Sequence, residues 1–177
     1  MGSLIRFAML FCVQTFARLF YRFEIEWIGE KPKDGFRNVR LGLLMNHTSL
    51  YEPLYTGGMG IGFVWDIATR GVFAGADVTM NKPIAGFFFR MIAPDVVTIT
   101  RKRDVTWSEF LNRIKPRSLI LMAPEGRMKR TNGLDKDGKP MTVRGGIADI
   151  LSIVTSGKLL IAYSGGLHHV NFPGERF

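Results

Sequence analysis

Apolar residues recur along this chain with two different periods, and the places where one gives way to the other outline the fold. Residues 4–23 (LIRFAMLFCVQTFARLFYRF) follow the helical period. Ile5, Met9, Cys12, Phe16, Leu19 and Phe23 fall on one stripe, and Gln14, Arg18 and Arg22 fall opposite, which predicts an amphipathic helix. Such a helix either packs on its own domain or lies among lipid headgroups with its arginines reaching phosphates. Arg6, Gln14, Arg18 and Arg22 interrupt the run too often for a good membrane-spanning segment, and it lacks the small-residue cleavage site of a signal peptide.

Residues 29–35 (GEKPKDG) form a turn-rich break. Beyond it, residues 39–45, 96–100, 118–122 and 158–163 are short apolar runs that read as strands, and residues 84–92, 106–114 and 147–155 read as helices. Pro53 stands near the start of a further helical stretch, where proline is tolerated, and residues 128–141 form a polar loop. Strands alternating with helices predict an α/β fold: a single layered domain (29–177) with a mixed, mostly parallel sheet flanked by helices, preceded by the amphipathic helix (1–28).

The 177 residues are 46% hydrophobic and 22% charged, which excludes a disordered chain, and the net charge of +9 calls for an anionic partner. Phe (14) and Met (9) set among the basic residues suit a lipid interface better than a DNA groove. No zinc finger, basic zipper or single-strand-binding pattern accompanies the charge, so no nucleic-acid partner is expected. Cys12 is the only cysteine and there are three histidines, which leaves no intrachain disulfide and makes a structural zinc site improbable. Two of those histidines, His168 and His169, are adjacent, point to opposite faces of an extended segment and read as surface or packing residues.

Three chemically capable residues follow directly on predicted strand ends: His47, Arg101 and Glu125. In α/β sheets the crevice beyond the strand ends is where ligands bind. His47 and Glu52, five apart, would be rotated about 140° from each other on one helix. They can meet only if His47 precedes a helix whose first turn holds Glu52. A carboxylate so placed fixes the imidazole tautomer and stabilises the imidazolium formed during proton abstraction. The same letters also spell a capping box, Ser49-x-x-Glu52. Pro53 fits that version poorly, because it lacks the N–H for the first helical bond.

The stretch Asn46-His47-Thr48-Ser49-Leu50-Tyr51-Glu52-Pro53 resembles the first motif of the glycerolipid acyltransferase family, which includes the 1-acyl-glycerol-3-phosphate acyltransferases. That motif is N-H-x-S-x-x-D, commonly followed by Pro, and Glu52 stands where the family has Asp. Residues 68–86 are similar to the stretch leading to the second motif, and Val97-Thr98-Ile99-Thr100-Arg101 to that motif itself. Ala123-Pro124-Glu125-Gly126-Arg127 resembles the third, F-P-E-G-T-R, with Ala for Phe and no Thr before Arg127. Val143-Arg144-Gly145-Gly146 resembles the basic-Gly segment that follows, and residues 160–163 sit where the fourth motif falls but lack its proline. The likeness spans about residues 39–164.

The resemblance implies an enzyme in which His47 is the general base and Glu52 its orienting partner. Arg101 would neutralise an acceptor phosphate, while Glu125, Gly126 and Arg127 would shape the acceptor site. It implies direct attack by a hydroxyl, or an amine, of a lysophospholipid-like acceptor on acyl-CoA or acyl carrier protein. The thioester is the co-substrate, and no metal or organic cofactor takes part. It further implies peripheral association with a membrane lipid surface, on its cytoplasmic face. Glu52 and the shortened third motif motivate a second expectation: an acyltransferase-like domain that has lost turnover and binds anionic lipid.

Overall fold

The computed structural model describes residues 2–31, 33–100, 102–165 and 167. Helix α1 (Ser3–Phe20) leads through an extended segment to strand β1 (Val39–Met45), a 3₁₀ helix (Glu52–Gly58) and α2 (Ile61–Arg70). Then come β2 (Gly71–Ala76), α3 (Asp77–Met80), α4 (Pro83–Ile92), β3 (Asp95–Ile99), α5 (Val105–Arg113), β4 (Leu119–Met122), α6 (Gly146–Ile153) and β5 (Lys158–Tyr163). Among the described residues five strands form one sheet in the order β3-β2-β4-β1-β5, every pairing parallel. This is the expected α/β domain with flanking helices. Strand β2 and helices α2 and α3 are the elements the apolar pattern does not announce. Gly71-Val72-Phe73-Ala74-Gly75-Ala76 has few β-branched residues, and the chain passes from α2 into it without a loop.

Alternate side chains along the strands feed two cores. Leu41, Leu43, Val72, Val97 and Ile120 meet Trp107 and Phe110 of α5 and Ile150 of α6 on one face. On the other face Val39 and Leu119 meet Leu10 of α1, four residues of α2 and Ile92 of α4. Parallel sheets covered on both sides carry apolar runs of this kind.

Helix α1 packs with the polar side of its stripe turned inward. Leu10, Gln14 and Ala17 are buried, and the Gln14 amide donates to the carbonyls of Thr56 (2.8 Å) and Met59 (3.0 Å). Arg18 donates to the carbonyls of Gly57 (2.9 Å) and Met59 (2.8 Å). Those bonds bring side-chain donors to carbonyls at the end of the 3₁₀ helix, where the Thr56 carbonyl also accepts from the Met59 amide at 3.0 Å. The apolar stripe therefore faces outward: Ile5, Phe16 and Leu19 are 54%, 48% and 74% exposed.

Contact between α1 and the 3₁₀ helix is close enough to demand glycine. A Cβ on Gly57 would lie 2.4 Å from the Phe23 ring and 2.9 Å from Ala17 Cβ. Gly57→Ala is expected to destabilise the protein by about 1–3 kcal/mol through overpacking. Urea denaturation checks this; an unchanged midpoint would mean that α1 is not seated on the 3₁₀ helix.

Candidate active site

Strand β1 lies between β4 and β5, so the loops leaving all three strands converge beyond its C-terminal end. There the chain turns abruptly. Asn46 takes φ +64°, a left-handed conformation that non-glycine residues adopt at a cost and that Asn tolerates best. Its side-chain amide donates to the Ser164 carbonyl just past β5, and the Ser164 amide and hydroxyl both donate back to the Met45 carbonyl. From the β4 side, Glu125 accepts from the backbone amides of Asn46 (3.1 Å) and His47 (3.0 Å). The His47 carbonyl accepts from the amide of Lys129 at 2.7 Å.

His47 then precedes the 3₁₀ helix, and Glu52 is the first residue of that helix. His47 Nδ1 lies 2.6 Å from Glu52 Oε1, and the Thr48 amide also donates to that oxygen. Nδ1 must carry a proton to donate to the carboxylate, and in the neutral ring that tautomer leaves the Nε2 lone pair free. The side chains are 18% and 12% exposed, so the pair is largely screened from water. The capping-box alternative is not what forms. Tyr51 caps the 3₁₀ helix, and Ser49 Oγ accepts from the Tyr51 amide. The extra methylene of Glu52 relative to Asp is absorbed by this turn, which brings the carboxylate within hydrogen-bond reach.

Both residues line a cavity of about 780 Å³. One part of it is apolar, walled by Leu10 of α1, Phe63 and Ile67 of α2, Phe89 and Ile92 of α4, and Leu160 of β5. Lys102, Arg130, Lys136 and Arg144 also line the cavity. Among the described residues no carboxylate lies within ion-pair distance of Lys102, Arg130 or Arg144, and Arg144 Nε donates to the Glu125 carbonyl at 3.3 Å. Arg103 is paired with Asp149 at 3.2 Å. Tyr55 also lines the cavity and donates its hydroxyl to the Gly165 carbonyl at 2.6 Å; burial pushes its phenol above the usual range.

The remaining expected site residues fall as follows. Arg101 lies outside the described residues, as do His168 and His169. Gly126 turns the chain at φ +64° beside the cavity. Arg127 reaches the cavity wall, but its guanidinium is paired with Asp135 and, at 3.0 Å, with Asp137. Those two aspartates raise its pKa further. Glu125 is buried, with its carboxylate on the backbone of Asn46 and His47. The cations Lys102, Arg130, Lys136 and Arg144 form a group that no single motif shows, because they come from two separate connections, β3–α5 and β4–α6, and are widely spaced within the second. Their only signal in the sequence is the excess of basic residues around residues 101–103, 127–139 and 144.

No protein-family model, curated protein or solved structure matches this chain. The fold and site by themselves define a parallel α/β domain with a histidine–carboxylate pair at a strand end, opening on a cavity that is part apolar and part cationic.

The loop carrying much of the cationic surface is organised by one carboxylate. Asp135 accepts from the amides of Asp137 and Lys139, both at 2.9 Å, as well as from Arg127. The Lys139 amide bond leads these effects in holding its pKa down at about 2. A carboxyl whose folded pKa lies below its unfolded value stabilises the fold above the unfolded pKa, and loses that contribution as pH falls through the folded one. The melting temperature of the wild type should therefore fall between about pH 4 and pH 2. Asp135→Asn should melt lower at neutral pH and show a shallower acid decline. Parallel declines in the two proteins would remove Asp135 from this role.

Proposed function

We propose that the protein transfers a fatty acyl group from a thioester, acyl-CoA or acyl carrier protein, to a hydroxyl of a lysophospholipid-like acceptor at a membrane surface. The observation that carries this reading is the His47–Glu52 contact of 2.6 Å on the wall of a cavity with apolar and cationic parts. An acyl chain suits the apolar part. A phosphate-bearing acceptor suits the cations Lys102, Arg130 and Arg144, which lack carboxylate partners among the described residues. An amine acceptor would use the same base.

In the proposed reaction His47 Nε2 takes the hydroxyl proton as the acceptor oxygen attacks the thioester carbonyl carbon. The new C–O bond forms and the C–S bond breaks as the tetrahedral intermediate collapses. The departing thiolate then receives the proton from the imidazolium, which restores the neutral ring. Glu52 holds the Nδ1–H throughout and stabilises the transient positive charge, as the carboxylate does in hydrolase triads.

Helix α1 supports a position at a membrane. By length and composition this apolar helix could cross or lie in a bilayer. Its face toward the domain is fixed by Leu10, Gln14 and Ala17, so the opposite apolar stripe is the surface left for lipid. Ile61 and Trp65 of α2 and Ile84 and Phe87 of α4, helices on the same side of the sheet, are also exposed. The net charge of +9 suits the anionic cytoplasmic leaflet, so the association proposed is peripheral and on that face.

Purified protein incubated with acyl-CoA and lysophosphatidate should release free thiol and form diacylated product. His47→Ala should lower kcat/KM by about 10³-fold, and Glu52→Gln by about 10²-fold or more, with melting temperatures near the wild type. Equal turnover by His47→Ala and the wild type would end the case for His47 as base. Vesicle binding with no turnover on a broad acceptor panel would favour instead a domain that only binds anionic lipid.

The membrane face has its own test. Phe16→Ser combined with Leu19→Ser should weaken co-sedimentation with phosphatidylserine-containing vesicles by at least about 10-fold, as expected for losing two apolar side chains from the interface. Because both side chains are about half exposed or more, the melting temperature should barely change. Undiminished vesicle binding would place the lipid contact elsewhere.

A further inference from the structure

We infer that Glu125 is a positioning residue for His47: its carboxylate clamps the two backbone amides that set the turn from which the imidazole projects, and it is not a contact for the acceptor. The geometry points to this through both oxygens at once. Oε1 accepts from the Asn46 amide at 3.1 Å and Oε2 from the His47 amide at 3.0 Å. Consecutive N–H groups around a left-handed residue form a concavity that binds anions. Here Asn46 is that residue, with φ +64°, and the anion is supplied by the protein's own side chain.

Burial strengthens the assignment. Glu125 is 7% exposed, so the two amide hydrogen bonds stand where its carboxylate oxygens would otherwise meet water. The main chain on either side of it is tied down as well. The Arg144 amide donates to the Pro124 carbonyl at 2.9 Å, Arg144 Nε donates to the Glu125 carbonyl, and Gly126 turns the chain away at φ +64°. Without the clamp, two inward-facing amides would lose their acceptors and Asn46 would be free to leave the left-handed region. His47 is the next residue, so any such relaxation swings its ring relative to Glu52 and the cavity.

The role rests on the reading of His47 as the base, so its test has one arm that needs no turnover. In the full-length wild type, amide hydrogen exchange at Asn46 and His47 should be slow although both lie in a turn outside regular structure. Glu125→Gln keeps the size of the side chain but turns one acceptor oxygen into a donor facing an N–H. It should speed exchange at these two amides by about 10-fold or more while amides in β1 and β4 stay protected. Its kcat should fall by about 100-fold, the cost of misplacing a catalytic group by about 1 Å, with the acceptor KM within about 2-fold of wild type.

Unprotected amides at 46 and 47 in the wild type would overturn the assignment even if Glu125→Gln failed to fold. So would a folded Glu125→Gln with unchanged exchange, or one with unchanged kcat and a raised acceptor KM, the signature of lost acceptor binding. A wild type inactive on every acceptor would defeat the acyl-transfer reading alone. The exchange arm would then still decide whether Glu125 holds the turn.

Discussion

At the end of β1 the chain has to leave the sheet within two residues, between two strands that run in the same direction and end beside it. In a parallel sheet each neighbour contributes its own C-terminal loop at the same level, so the exit of a central strand is crowded by polar groups from both sides. This crowding is what shapes the site. Ser164, just past β5, takes the Asn46 side chain, and Glu125, just past β4, takes the Asn46 and His47 amides. The left-handed turn at Asn46 would be costly on its own, and bonds from both neighbouring strands hold it in place. The strand order β4-β1-β5 therefore does more for the geometry of His47 than any residue adjacent to it in sequence.

Much of this was legible from the letters, and the illegible part has a consistent cause. The runs at 39–45 and 158–163 coincide with β1 and β5, and the requirement that His47 precede a helix beginning near Glu52 is met by the 3₁₀ helix. Local periodicity and proline chemistry carry that kind of information. What they do not carry is which face of an element meets which neighbour. The stripe on α1 was readable, yet Gln14 on its polar side is buried and the polar side faces the domain, because Gln14 and Arg18 donate to carbonyls at the end of the 3₁₀ helix. The triplet Phe87-Phe88-Phe89 divides in the same way. Phe87 is 65% exposed, Phe88 and Phe89 pack against the core, and Phe89 also lines the cavity.

The segment Ala123-Pro124-Glu125-Gly126-Arg127 shows the same limit at the level of chemistry. A Glu-Gly-Arg sequence at a strand end suggests side chains directed at a ligand, and nothing in the letters separates that from side chains directed at the protein. Here Glu125 turns to the backbone, and Arg127 turns to Asp135 and Asp137, which neutralise it. The cations at the cavity without carboxylate partners among the described residues come from elsewhere: Lys102 follows β3, Arg130 lies in the loop after β4, and Arg144 lies just before α6. A charge group assembled from separate loops leaves no spacing pattern, only a surplus of lysine and arginine over acidic residues.

The carboxylates around His47 also constrain how a developing oxyanion could be stabilised. Acyl transfer needs hydrogen-bond donors aimed at the carbonyl oxygen as it becomes charged. The amides nearest the base are those of Asn46, His47 and Thr48, and each already donates to a carboxylate oxygen of Glu125 or Glu52. A negative charge placed beside those two carboxylates would be repelled by them. The turn that orients the base is therefore electrostatically unsuited to hold the oxyanion as well. Positive charge on the cavity wall comes instead from residues such as Lys102, Arg130 and Arg144. The two carboxylates hold the turn and the ring of His47, and the cations line the same cavity.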